Sequence, residues 1–312
     1  MNNDQFKKSI NSLSHRAKNN LLYSAIWEHN LDAAKAAIAI GANPRDNDNK
    51  CVKLAIESEA VEIVKYFVAL GCDINFENDY ALRVGSRLGN FEIVELACET
   101  GADVEKNGKS AVCYASAIGA FDVVKYVIER MHIYRVDTSY PLKVAAQYGF
   151  YDIVKFLLCN GSNPKEEASA AFRFACYNGH ADCAKILLDF GADIKAANHD
   201  ALIKAASNND VEILKLLIEY GESIHVNKNA ALLAACENDN YEAAEFLLKY
   251  GADPNVPTWE PLRQAAGFGS VNLVKLLLNN GATPTSDAMY TANRYKRTYN
   301  SEIIYKAING PK

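Results

Sequence analysis

The sequence predicts an all-α solenoid: antiparallel helix pairs stacked in register, with short inter-repeat loops and little or no β-hairpin. Three observations predict it. First, the stretch from Ala145 to Gly161 reads as a helix end, a glycine turn, a second helix and a glycine stop, and it returns every 30 residues. The stop falls at Gly41, Gly71, Gly101, Gly161, Gly191, Gly221, Gly251 and Gly281, and Met131 alone breaks the series. Second, a small residue recurs at Ala25, Ala55, Gly85, Ala115, Ala145, Ala175, Ala205, Ala235 and Ala265, which lets neighbouring first helices approach closely. Third, apolar residues such as Ile63 with Phe67 and Ile153 with Leu157 recur at helical spacing and give the second helix a buried stripe. A fixed period over most of a chain marks a stacked repeat protein.

In chain order, residues 1–20 are polar, with Phe6, Ile10 and Leu13 at helical spacing, and read as a short N-terminal cap. A solenoid needs one, because its end repeats otherwise expose core. Nine repeats of 30 residues follow over 21–290. The turn between the two helices of a repeat is Gly89, Gly119, Gly149, Gly179 or Gly269, and elsewhere His29, Asn209 or Asp239; most of these tolerate a left-handed backbone, and Glu59 is the poor fit. The stop column is glycine because helices often end in that conformation, and Pro44, Pro164, Pro254 and Pro284 follow three residues later and prevent continuation. A bulky Met131 there would be strained by roughly 1–2 kcal/mol, so a different local turn is expected. Residues 291–312 form a degenerate capping repeat: Ser301 to Ile308 aligns with a second helix, but Tyr295 and Lys296 replace the small pair.

The totals exclude several classes. The chain is 49% hydrophobic and 23% charged, so it is globular rather than disordered. Net charge is -5, which favours neither nucleic acid nor an anionic membrane. Residues 285–312 hold five Lys/Arg against two Asp/Glu, about +3, leaving about -8 for the rest. The eight cysteines are scattered singly with no CxxC pair, which argues against a disulfide framework or zinc cluster and for a reducing, intracellular, cytoplasmic setting. No apolar run approaches a membrane span, and the N-terminus lacks the apolar core of a signal peptide.

The motif small-small-x-x-Gly-x-x-acid-Ile-Val-Lys-x-Leu-Leu-x-x-Gly-Ala-Asp resembles the ankyrin repeat. It is clearest in Gly191-Ala192-Asp193, in Gly251-Ala252-Asp253 and in His180 after Gly179, and the resemblance covers about 21–308. Two departures matter. The family's usual period is about 33 residues, so three are missing from the β-hairpin finger between repeats. The Thr-Pro-Leu-His tetrapeptide is absent: Pro141-Leu142 and Pro261-Leu262 are followed by Lys143 and Arg263, so the hydrogen bonds of that Thr and His must be replaced or lost. The 30-residue, short-finger form resembles the ankyrin proteins of giant DNA viruses such as mimivirus.

The resemblance implies a non-catalytic protein-protein interaction scaffold that binds its partner on a concave face built from first helices and loops. The columns after the small pair point there: Trp27, Glu28, Arg87, Leu88, Ile118, Gln147, Tyr148, Tyr177, Asn178, Glu237, Asn238 and Phe268, with Phe76, Tyr80, Tyr140 and Trp259 from the loops. Aromatics interleaved with charge suit a binding groove; packing of some rings on the neighbouring repeat is the plainer alternative. Two further readings are a substrate-recruiting adaptor of a host ubiquitin ligase or other modification machinery, and a structural virion component. The expected partner is a protein of the host, held by a monomer, with no nucleic acid, no membrane and no cofactor.

Other motifs read as structural. Acids such as Asp32, Glu62, Asp152 and Glu212 precede Lys35, Lys65, Lys155 and Lys215 by three and suit a helix N-terminus and a solvated face. Cys176, His180 and Cys183 occupy framework columns rather than a metal site. Asp46, Asp48 and Glu57 mimic a calcium loop but lack its glycine. Arg294-Tyr295-Lys296-Arg297 reads as a solvated cap rather than a targeting patch. No catalytic fingerprint is present.

Overall fold

The computed structural model describes residues 13–131, 138–255, 260–268, 270–294 and 304–308. Among these residues there are helices and no strand. Two compact parts divide between Pro141 and Leu142. In the N-terminal part the pairs are His15–Trp27 with Leu31–Ala39, Asp46–Glu57 with Val61–Ala69, Phe76–Leu88 with Phe91–Glu99, and Val104–Ile118 with Phe121–Arg130. The Ser139–Gln147 helix, at the division, precedes Tyr151–Cys159. The C-terminal part continues with Glu166–Tyr177 and Ala181–Asp189, Ala196–Ser207 and Val211–Glu219, Ala230–Glu237 and Tyr241–Lys249, then Glu260–Phe268 and Val271–Asn279. Ser286–Arg294 follows.

Within each part, first helices lie against first helices and second against second, the contact between first helices being the more extensive. The small column explains it. Ala55, Ala115, Ala145, Ala175, Ala205 and Ala235 are fully buried. At Gly85 even a methyl would be too large: a Cβ would sit 2.9 Å from Ile93 Cγ2 and 3.1 Å from Val94 Cγ2. In the second helices Ile63, Val64 and Phe67, and their counterparts Ile153, Val154 and Leu157, are buried at the helical period. Each such side chain contributes about 1.5–3 kcal/mol when removed from water.

Both turns of the repeat are left-handed as the sequence predicts, and Glu59, the poor fit, adopts the same conformation with φ 59°. Asn90 Nδ2 donates to its carboxylate at 2.9 Å. At the other turn Met131 is extended, with φ -72° and ψ 103°, instead of left-handed. It is buried, and it faces the other irregular residue of its repeat: a Cβ on Gly108 would lie 2.9 Å from Met131 Sδ. The missing stop glycine and Gly108 are therefore complementary; the turn after Met131 falls outside the described residues.

The short loops hold a feature that the sequence reading did not anticipate. Where the finger is missing, the chain turns left-handed before entering the first helix: Asn47-Asp48-Asn49, Glu77-Asn78-Asp79, Ala197-Asn198-His199 and Asn227-Lys228-Asn229 all have φ between 47° and 64°. Left-handed backbone costs most residues roughly 1–2 kcal/mol, and Asn and Asp least. The loop at 103 differs. Asp103 accepts from the Lys106 N–H at 3.0 Å as a helix cap, and one right-handed helix runs from Val104 to Ile118. In the left-handed loops the equivalent residue instead accepts from the second residue on, as Asp73 does from Asn75 N–H at 2.8 Å and Asp193 from Lys195 N–H at 2.9 Å.

The left-handed turns also supply the inter-repeat hydrogen bonds that the absent tetrapeptide would have made. Asp79 Oδ2 accepts from the Asp103 N–H at 3.1 Å, and Ser169 Oγ from the Asp193 N–H at 2.8 Å, both 24 residues ahead. In the first repeat Asn19, which lies within the right-handed His15–Trp27 helix, makes the same bond, its Oδ1 accepting from the Asn43 N–H at 2.9 Å. Asn229 Nδ2 donates to the Asp253 carbonyl at 3.4 Å, and His199 Nδ1 lies 3.0 Å from Glu222 Oε2. His180 adds a second kind of link, its Nε2 3.1 Å from the Gln147 carbonyl. The acid–lysine ridge is looser than its spacing suggests: of the i,i+3 pairs expected, Glu62–Lys65 at 2.9 Å is at ion-pair distance among the described residues.

Candidate functional site

The small pair buries one side of each first helix, so the residues after it are turned away from the core. Each part presents its own face. In the N-terminal part, Trp27 is 66% exposed, Ile118 46%, and Glu28 and Arg87 are exposed too. Leu88 is half-buried. Phe76 and Tyr80 are also half-buried, stacked on each other at 5.2 Å with 15° between the rings. Tyr80 Oη donates to Glu57 at 2.5 Å. Burial, and then that carboxylate, push the Tyr80 phenol up to about 12.

At the division Tyr140 is 56% exposed. In the C-terminal part Tyr148 is 54% and Phe268 60% exposed, and Asn178, Glu237 and Asn238 are exposed. Gln147 is half-buried and lends its carbonyl to His180. Tyr177 is half-buried, packed edge-on against Phe174 and covered by Arg173, whose guanidinium is 5.8 Å from its ring. Asn178 Nδ2 donates to the Phe174 carbonyl and Asn238 Nδ2 to Ala234, so both amides cap their helix ends. Trp259, Gly269 and the Tyr295-Lys296-Arg297 run lie outside the described residues.

The sequence reading missed one column of this face. Two positions before the small pair stand Tyr23, Lys53, Arg83, Cys113, Lys143, Arg173, Ile203, Leu233 and Arg263: five bases and no acid. Lys53 Nζ lies 2.9 Å from Glu77 and 3.0 Å from Asp48, and these bonds, Glu77 first, push its pKa up to about 12. Lys143 Nζ lies 2.7 Å from Glu167. Alignment of the repeats would have shown the column; what it could not show is that left-handed turns carry the acids onto it.

Other clusters carry no chemistry of their own. Among the described residues no group of His, Cys, Asp and Glu is arranged to hold a metal. Cys176 is fully buried, and burial pushes its thiol well up; the Cys183 thiol is pushed up to about 11 by burial. An open hollow of about 230 Å³ is lined by Tyr151, His180, Asp182, Cys183 and Glu212, but its imidazole is already taken up by Gln147. Asp46 accepts from Asn19 Nδ2 at 2.6 Å and Asp48 from Lys53, so the carboxylates of the calcium-like loop serve the fold.

A helix-pair solenoid with this repeat agrees with sequence comparison. The family profile described as "Ankyrin repeats (3 copies)" matches residues 53–137, 80–168, 142–230 and 224–288. The chain belongs to the ankyrin repeat family. Its fold is similar to that of the human ASB11 ankyrin repeat domain, with a TM-score of 0.57 and 23% sequence identity over 64% of this chain and 98% of that one. No curated protein matches the chain significantly in sequence. Ankyrin repeats are generic protein-protein interaction scaffolds. No helix among the described residues is long and apolar enough to cross a membrane.

Proposed function

We propose that this ankyrin repeat protein is a non-catalytic scaffold that holds a partner protein on the first-helix face, the concave side of the stack. One observation carries the reading. Ile118, Tyr148 and Phe268 at one repeat position, and Trp27 at the position before it, are about half exposed or more. Exposing such side chains at repeated positions is what an interface requires, since aromatic anchors dominate binding energy. The mechanism is preorganisation: the helix pairs are set by the repeat frame before binding, so association costs little ordering entropy. With fingers missing, contact area comes from helix faces, which suits a helix or an extended segment.

In this reading the binding protein is a monomer, 21–290 are nine repeats, and 1–20 and 291–312 cap their ends. On the resemblance of the short-finger sequence to ankyrin proteins of giant DNA viruses, the reading takes the partner to be a host protein met in the cytoplasm. The test is affinity capture from host-cell extract with the chain and with Trp27, Tyr148, Tyr177 and Phe268 changed together to Ala. The variant is expected to keep its helix content and lose the specific partners. Retention of every specific partner would remove the assignment of the face. Recovery of ubiquitin-ligase subunits would turn the reading toward substrate recruitment.

A further inference from the structure

The basic column of the first-helix face holds carboxylates at Lys53, at Lys143 and at Arg173, whose Nη2 lies 3.7 Å from Asp200 Oδ2, and is short of one at Arg83. Lys53 and Lys143 each receive a carboxylate from the turn 24 residues ahead, Glu77 and Glu167. The same step from Arg83 leads to Asn107, which is buried and turned away: its Nδ2 donates to Asp79 Oδ2 at 2.5 Å. The reason is the loop at 103, which continues as a right-handed helix and so does not lift a side chain over Arg83. Arg83 instead rests on its own repeat, donating from Nε to the Asn78 carbonyl at 3.0 Å and from Nη2 to the Glu77 carbonyl at 3.1 Å, with its guanidinium 5.9 Å from the Tyr80 ring. Arg87, one helical turn on, is exposed, and among the described residues no carboxylate is at ion-pair distance from either arginine.

We infer that Arg83 and Arg87 receive a carboxylate side chain of an acidic, aromatic-containing segment of the partner protein. The inference rests on the scaffold reading and names the chemistry of its ligand. Charge complementarity identifies the occupant: the column already takes carboxylates from its own chain at three other repeats, so a partner's Asp or Glu repeats a contact that the fold makes itself. Two guanidiniums on one helix face suit the planar, bidentate geometry of a carboxylate. The flanking side chains add an apolar half to the site, since Tyr114 is 43% exposed on the next first helix, Ile118 lies one turn beyond it, and the Phe76–Tyr80 stack lies alongside. A polynucleotide is disfavoured by the chain's net charge of -5.

The experiment measures fluorescence anisotropy of labelled (Glu-Tyr)4, (Lys-Tyr)4 and a dT12 oligonucleotide against the full chain. The expected result is salt-sensitive binding of (Glu-Tyr)4 alone, weakened at least tenfold by R83Q/R87Q. R87E is the second variant, because Arg87 supports no turn carbonyl and its replacement leaves the fold intact; it is expected to weaken (Glu-Tyr)4 by a similar factor. The exposed second-helix variant Lys155→Gln is expected to leave binding unchanged. Equal binding of (Glu-Tyr)4 to the chain and to R87E, no binding of that peptide, or stronger binding of dT12 would each overturn the inference. Affinity capture separates this failure from failure of the scaffold reading: partners kept by R87E but lost by the Trp27, Tyr148, Tyr177 and Phe268 variant reject the acidic segment and leave the scaffold standing.

Discussion

A single added methyl separates the two kinds of glycine in this chain. Gly149 and Gly161 both have positive φ, 76° and 92°, so an alanine at either is strained by roughly 1–2 kcal/mol. At Gly161 the added Cβ meets open space; at Gly149 it would lie 2.5 Å from His180 Nδ1 and dislodge the ring from the Gln147 carbonyl. Gly149→Ala is therefore expected to cost about 1 kcal/mol more than Gly161→Ala, the worth of one hydrogen bond, in urea melts of the full chain. Equal losses would show that His180 contributes nothing to the joint. The same residue scale governs the thiols. Burial pushes Cys51 and Cys236 up to about 12 and Cys98 to about 11, while Cys159 is exposed. A thiol reacts as its thiolate, and at pH 8 a pKa of about 11 leaves roughly one thiolate in a thousand. Iodoacetamide is expected to modify Cys159 well before these three in the native protein, and peptide mapping reads the order. The glycines, the small column and the buried stripe were legible because each answers to one local rule. His180 was legible only as a framework residue, since its bond to Gln147 joins residues 33 apart.

At the scale of an element, the loop is where the fold departs from what its pattern announces. A deletion of three residues from a finger predicts a plain short connection. The chain instead spends several left-handed residues per loop, and Asn, Asp and His are prominent among them. Ala197 is the least suited, with φ 49° in an exposed position and no side chain to compensate. Ala197→Gly is expected to stabilise the protein by about 1 kcal/mol, against the usual direction for glycine, because the strained conformation costs glycine nothing. A lower urea midpoint for the variant would mean that the left-handed turn is not formed. These turns were illegible in the sequence because the same residues fit two outcomes. Asp73 and Asp103 are alike, yet one accepts from the second residue on and the other from the third, and only the second starts a right-handed helix. What accompanies the difference lies elsewhere: Met131 packs over Gly108, so closely that a Cβ there would lie 2.9 Å from its Sδ.

For the whole molecule, the repeat separates frame from message. The frame columns are nearly invariant along the chain, and the residues two before and directly after the small pair change from repeat to repeat. The candidate site was legible in part for that reason: Trp27, Ile118, Tyr148 and Phe268 stand exposed where the columns placed them, whereas Tyr177 is covered by Arg173 and the basic column went unread. A second row of exposed rings, Phe190, Tyr220 and Tyr250, ends three successive second helices and is the natural rival as a binding surface. The most direct test of the account sets the two rows against each other. Benzoylphenylalanine is placed singly at Tyr148, Phe268, Phe190 and Tyr250, and each protein is irradiated in the presence of the captured partner. Crosslinks from positions 148 and 268 and none from 190 and 250 are the predicted result; crosslinks from 190 and 250 alone would contradict the account.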